Sequence, residues 1–175
     1  MRVEGMESLF CFTLKSGKII VSDPCYDLKN HEYNECNFVH DAEIGDWEVL
    51  VNYSGDKPKK VKIYSLNHTI QDEDYNCITR DICVDSGMVG FYDLLHFQDD
   101  TIIDNLDNFY SDGIVHLFPD KKWFSANYGV SQGQAKAGCL PYGFVTSTPY
   151  MVGCYDLYCA KIDNKVVGLE ILLFE

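Results

Sequence analysis

A single α+β domain, mostly antiparallel β-sheet with one or two short helices, is what three features of this chain predict. Apolar and polar residues alternate over much of its length, the period of half-buried strands. Tyr and Phe make up most of the 14% aromatic content, and such side chains fit a pleated surface better than a helix bundle. Turn-forming pairs such as Ser16-Gly17 and Asp163-Asn164 interrupt the alternation, as hairpins require. At 175 residues, one domain over 1–175 is the simplest organisation, enough chain to bury roughly 70% of its unfolded surface. No internal repeat, linker or low-complexity segment is evident.

Residues 9–14 read as a first strand, followed by the Ser16-Gly17 turn. Residues 18–22 form a second strand, ended by Asp23-Pro24 because proline removes a ladder donor. Residues 27–41 are polar and irregular. Residues 46–53 and 59–66 alternate cleanly on either side of a turn at 54–58, and form a hairpin. A strand at 75–84 is followed by an Asp85-Ser86-Gly87 turn and a short segment at 91–97. At 100–110 the apolar residues Ile102, Ile103, Leu106, Phe109 and Tyr110 recur at helical spacing. Asp99 or Asp100 is a natural N-cap for that helix and Gly113 a natural stop. Strands are expected at 122–128, 143–147, 154–162 and 166–174, the last two joined through Asp163-Asn164.

The formal charge is −13, which disfavours direct contact with nucleic acid or an anionic bilayer. Nine aspartates lie between Arg80 and Lys121, a stretch with no lysine or arginine. Asp81, Asp85, Asp93, Asp99, Asp100, Asp104, Asp107 and Asp112 are read as one anionic surface for a basic, nucleic-acid-binding host protein. The plainer reading is a solvated face. No segment has the length of a signal peptide core or a membrane span, so a cytoplasmic protein without membrane contact is expected. Eight cysteines without a C-x-x-C pair then read as reduced, packed thiols. No cofactor and no structural zinc are expected.

Asp23, Asp85 and Asp93 sit at strand ends, where carboxylates either gather a divalent cation for hydrolysis or cap turns. Asp23, Tyr26, Ser86 and Tyr155 are candidate ligand-binding residues, and Asp85 and Tyr155 would form the rim of a nucleotide pocket. Its floor would come from Trp123, Phe124, Tyr128, Tyr142, Tyr150 and Tyr158, though aromatics also do ordinary packing. Cys25 with His31, His40 or His68 is a possible nucleophile pair. The carboxylates of Asp23 and Asp27 flank it and oppose a thiolate, which favours a packing role. His96 and His116 lie in apolar stretches. Lys57, Lys59, Lys60 and Lys62 form a basic hairpin cluster, suited to discouraging edge pairing or to contacting a phosphate.

Three blocks occur in order: Val21-Ser22-Asp23-Pro24-Cys25-Tyr26, then residues 84–93 (Val84 to Asp93), then residues 143–155 with Ser147-Thr148-Pro149-Tyr150 and Gly153-Cys154-Tyr155. Over about 18–174 the chain resembles a family of small phage, prophage and bacterial mobile-element proteins with SDPCY, VDSGQAGFFD and SSGYGDGSY blocks and a terminal hairpin. Met88-Val89 replaces the family's Gln-Ala, and 150–153 lacks its Gly-Asp. The resemblance implies no reaction. It implies genomic company in which genes often act against host defence. The leading expectation is therefore a non-enzymatic inhibitor that mimics nucleic acid and blocks an effector such as a CRISPR nuclease. The alternatives are a nucleotide-sequestering protein and a metal-dependent hydrolase.

Overall fold

The computed structural model describes residues 7–27, 37–110 and 120–174. Its elements in chain order are β1 (Glu7–Leu14), β2 (Ile19–Ser22), β3 (Phe38–Val39), β4 (Gly45–Ser54), β5 (Lys57–Ser65), β6 (Asn76–Val84), β7 (Met88–Asp93), α1 (Lys122–Gln132), β8 (Ala137–Leu140), β9 (Gly143–Ser147), β10 (Gly153–Ile162) and β11 (Lys165–Leu172). Two antiparallel sheets result, one ordered β1-β4-β5-β11-β10-β6 and the other β3-β2-β7-β9-β8. The predicted hairpins are present: β4 with β5, and β10 with β11. The tight turn of the second holds Asp163 and Asn164 at φ 50° and 64°, the left-handed pair that matches strand twist.

The sheets pack face to face over one core. The alternation of β4 sends Trp47, Val49, Val51 and Tyr53 inward, where they meet Val21, Val89, Phe91 and Phe144 of the other sheet. The five-stranded sheet is covered on its second face too, so every residue of β7 is buried. There α1 and the 94–110 segment pack Trp123, Ala126, Phe97, Ile103 and Leu106 against Ile20, Tyr92 and Val145. Tyr92 lies over Gly90 and Gly143, and its hydroxyl donates to Asn127 Oδ1 of α1 at 2.6 Å.

The helix expected at 100–110 is two 3-10 turns, Asp100–Ile102 and Leu106–Phe109. The side chains of Asp99 and Asn105 each bond a backbone N–H two residues on, a local alternative that competes with helix propagation. The strand expected at 122–128 is the helix α1. Its buried positions include Ser125, Ala126, Gly129 and Ser131, small residues that let it lie close to its neighbours. A Cβ on Gly129 would stand 2.6 Å from the Phe109 carbonyl oxygen. Cys83 and Cys154, directly opposed on β6 and β10, form a disulfide where reduced thiols were expected.

No repeat was read from the sequence, yet the fold contains one. The segments 15–23 and 85–93 share Ser-Gly-x5-Asp, and each carries the chain from an edge of the six-stranded sheet (β1 or β6) into the central pair β2–β7 of the other. Each then returns to a hairpin beside its starting strand, β4–β5 or β10–β11. Gly45 and Gly153 open the returning strands opposite Leu14 and Val84. Lys62 and Glu170 face each other where the halves meet, 3.4 Å apart as an ion pair. The Cys83–Cys154 bridge of one half corresponds to the Thr13 to Asp46 hydrogen bond of the other. The duplication is hard to see in the sequence because, beyond Ser-Gly-x5-Asp and the opening glycines, few matched positions share identity.

Candidate functional site

The three sequence blocks meet at one place. Asp23, at the end of β2, is fully buried. Its Oδ2 accepts the backbone N–H of Asp85 and Ser86, at 2.9 and 2.8 Å, while Oδ1 accepts Cys25 N–H and the Ser86 hydroxyl at 2.8 and 2.7 Å. The third block joins through Gly87, whose N–H donates to the Met151 carbonyl and whose carbonyl accepts Thr148 N–H. Gly87 holds φ 77°, a conformation that a residue without Cβ adopts readily.

Asp93 repeats this arrangement at the opposite corner. Its Oδ2 accepts Lys15 and Ser16 N–H at 2.7 and 3.1 Å, and its Oδ1 accepts Leu95 N–H. The expectation that Asp93 belongs to an outward anionic surface therefore fails on burial, since its carboxylate binds backbone amides inside the fold. Asp23 and Tyr155, read as ligand-binding residues of a nucleotide pocket, are 0% and 7% exposed. Tyr155 belongs to the core beneath the loop. Tyr26 and Ser86 do reach the motif cluster, the Tyr26 hydroxyl donating to Asp85 Oδ2 at 2.9 Å.

The Gln98 amide, on a residue with φ 61°, donates to the carbonyls of Pro24 and Tyr26 at 3.1 and 2.7 Å. It ties the Asp99–Asp100 region to the Asp85 turn through Tyr26. Beside it lies a cleft of about 390 Å³, with Cys25, Lys121, Trp123 and Phe124 in its walls. Asp81, Asp85, Asp100, Asp104 and Asp107 are exposed and Asp99 is half-exposed. Asp99 caps Thr101 and Asp100 caps Trp123 N–H. Asp112 and His116 lie outside the described residues. Ion pairs among the described residues join Lys60 and Lys62 to Glu170 and Lys62 to Asp72, and His68 Nε2 lies 3.9 Å from Glu43 Oε1. None of them takes Asp81, Asp85, Asp99, Asp100 or Asp104.

Desolvation pushes the Cys25 thiol up to about 12, reinforced by the Asp23 charge and opposed by a hydrogen bond with Ser86. It is a protonated thiol at neutral pH, unsuited to nucleophilic work. His68 stands 3.9 Å from Glu43 and His31 lies outside the described residues. Iodoacetamide at pH 8 should label Cys25 roughly a hundred- to a thousandfold more slowly in the folded protein than in urea, because the thiolate is the reactive form. Comparable rates by peptide mass spectrometry would refute the protected thiol.

The aromatic platform does not assemble. Trp123 packs on Tyr92 and Phe97, Tyr142 stacks on His96 at 4.0 Å, and Tyr150 is exposed at a loop tip. Among the described residues, no three His, Cys, Asp or Glu side chains gather as a metal site, and no helix is long and apolar enough to cross a membrane. Gln98 and Lys136 went unmarked in the sequence, since neither belongs to a motif and only tertiary contact gives them a role. No family model, curated protein or solved structure matches the chain.

Proposed function

We propose that the chain is a non-enzymatic interaction protein whose acidic end occupies a basic, nucleic-acid-binding surface of another protein. The observation that carries this reading is the contact chain Asp85–Tyr26–Gln98. It holds the Asp85 turn against the segment bearing Asp99 and Asp100, so carboxylates distant in sequence share one end. These side chains lack a lysine or arginine ion partner among the described residues, and the whole chain carries −13. Such a field steers a cationic partner and weakens with salt. The resemblance to phage and mobile-element proteins makes a host defence effector, such as a CRISPR nuclease, the partner of choice.

The test is capture from host lysate on immobilised protein at about 50 mM and about 500 mM salt, bracketing a Debye length near 10 Å. A basic nucleic-acid-binding protein should be held at low salt and released at high salt. The variant D85N/D99N/D100N should hold several-fold less of it, asparagine keeping the caps that Asp99 and Asp100 make. Capture that ignores both salt and these substitutions, or no capture at all, ends the proposal.

A further inference from the structure

The two halves of the fold close their corners differently. In the first half, the Gly17 carbonyl accepts Ala42 N–H, and two more backbone bonds follow: Glu43 N–H to the Val166 carbonyl and Val166 N–H to the Asp41 carbonyl. These zip the 41–43 strand against the start of β11, with Ala42 and Val166 bridged in parallel. In the second half, the Gly87 carbonyl accepts Thr148 N–H in the same way. The residue after Thr148, in the place of Glu43, is Pro149. The residue in the place of Val166, one past the first lysine of the hairpin, is Pro58. Neither proline has an N–H. The pair of bonds that shuts one corner is thus unavailable at the other.

A groove of about 350 Å³ occupies that corner. Its walls include Lys57, Lys136, Gln132, Ser147, Thr148 and Tyr150. Asp56 is the one carboxylate among the described lining residues, against two lysines. This local excess of positive charge stands out in a chain of net −13. Lys136 is held at φ 55°, a costly conformation for a residue with a Cβ. Three contacts keep it there: its N–H donates to the Gly133 carbonyl, and its own carbonyl accepts Ser147 N–H and the Thr146 hydroxyl. Strain of this kind persists where surrounding structure over-determines it, often at ligand sites. The Tyr150 ring, 68% exposed, stands at the margin as a face for a flat apolar group.

We infer that this groove binds a small phosphorylated ligand, the phosphate between the Lys57 and Lys136 ammonium groups and any base or ring against Tyr150. The inference is independent of the acidic-end proposal, because it uses different residues and a ligand of opposite charge.

Isothermal titration with inorganic phosphate and with adenosine monophosphate tests it and separates a phosphate-only site from one that also holds a base. Binding of at least one probe is expected, weakened by about tenfold or more in each of K57Q and K136N, since charge-assisted contacts dominate such sites. Asparagine is chosen at 136 because it tolerates a left-handed backbone, so the melting temperature should hold. D56N should tighten binding by several-fold. Y150A should erase any preference for the nucleotide. The decisive variant is P58V/P149A, which restores both missing N–H donors. It should lose binding while melting no lower than the parent. If neither probe binds, or if K57Q, K136N and P58V/P149A all bind like the parent, the groove is not such a site.

Discussion

Asp23→Ala should lose about 3–5 kcal/mol of stability, read as a lower urea midpoint at unchanged m-value. Each buried donor left without an acceptor costs about 1–3 kcal/mol, and Asp23 satisfies three backbone N–H groups and one hydroxyl. Partial entry of water keeps the total below the full sum. Asp23→Asn should lose about half as much, because its remaining carbonyl oxygen still accepts two of the four. In either variant the Asp85 and Ser86 amides should exchange hydrogen faster than in the parent. A loss under about 1 kcal/mol in Asp23→Ala would show that the carboxylate does not hold the corner.

Gly90→Ala should cost about 3 kcal/mol or more, a fall of roughly 6–12 °C in melting temperature for a chain of this size. The added Cβ would stand 2.5 Å from the Phe144 carbonyl oxygen and overlap the Tyr92 ring. The carbonyl belongs to the neighbouring strand and cannot swing away as a side chain would. Displacing Tyr92 breaks its bond to Asn127 and its packing on Trp123, 5.0 Å between ring centres. Tryptophan fluorescence should therefore shift along with the thermal midpoint. A variant that melts within about 2 °C of the parent would mean that the sheet relaxes around the methyl group.

Strands were legible in this sequence wherever one face is wet. The hairpins β4–β5 and β10–β11 alternate because water covers their outer side, and their turns carry the residues that those turns need. Legibility failed where both faces are covered or where side chains outcompete the backbone ladder. The segment 122–128 is buried or half-buried at every position after Lys122, so no wet face marks a strand or a helix period, and contact with the 94–110 layer decides for the helix. At 100–110 the helical spacing was real, but Asp99 and Asn105 break the run into turns.

For the site, the sequence singled out Asp23, Tyr26, Asp85 and Ser86 without revealing that they meet or which of them are structural. Asp23 and Asp93 look like surface carboxylates until burial and amide partners are known. The groove at Lys57 and Lys136 joins residues 79 positions apart. Its lining includes two prolines, Pro58 and Pro149, whose significance appears only beside the closed corner of the other half.

The reciprocal placement of Asp23 and Asp93 has a consequence for how the chain folds. Each aspartate grips a corner belonging to the opposite repeat: Asp93 holds residues 15–16 and Asp23 holds residues 85–86. Neither repeat can complete itself, so fraying of one would orphan the amides of the other, and melting is expected as a single event. Two separate copies of a half-length chain would satisfy the same demand by trading aspartates. The present architecture has the form of such a symmetric pair, joined into one polypeptide and then free to let its two ends diverge.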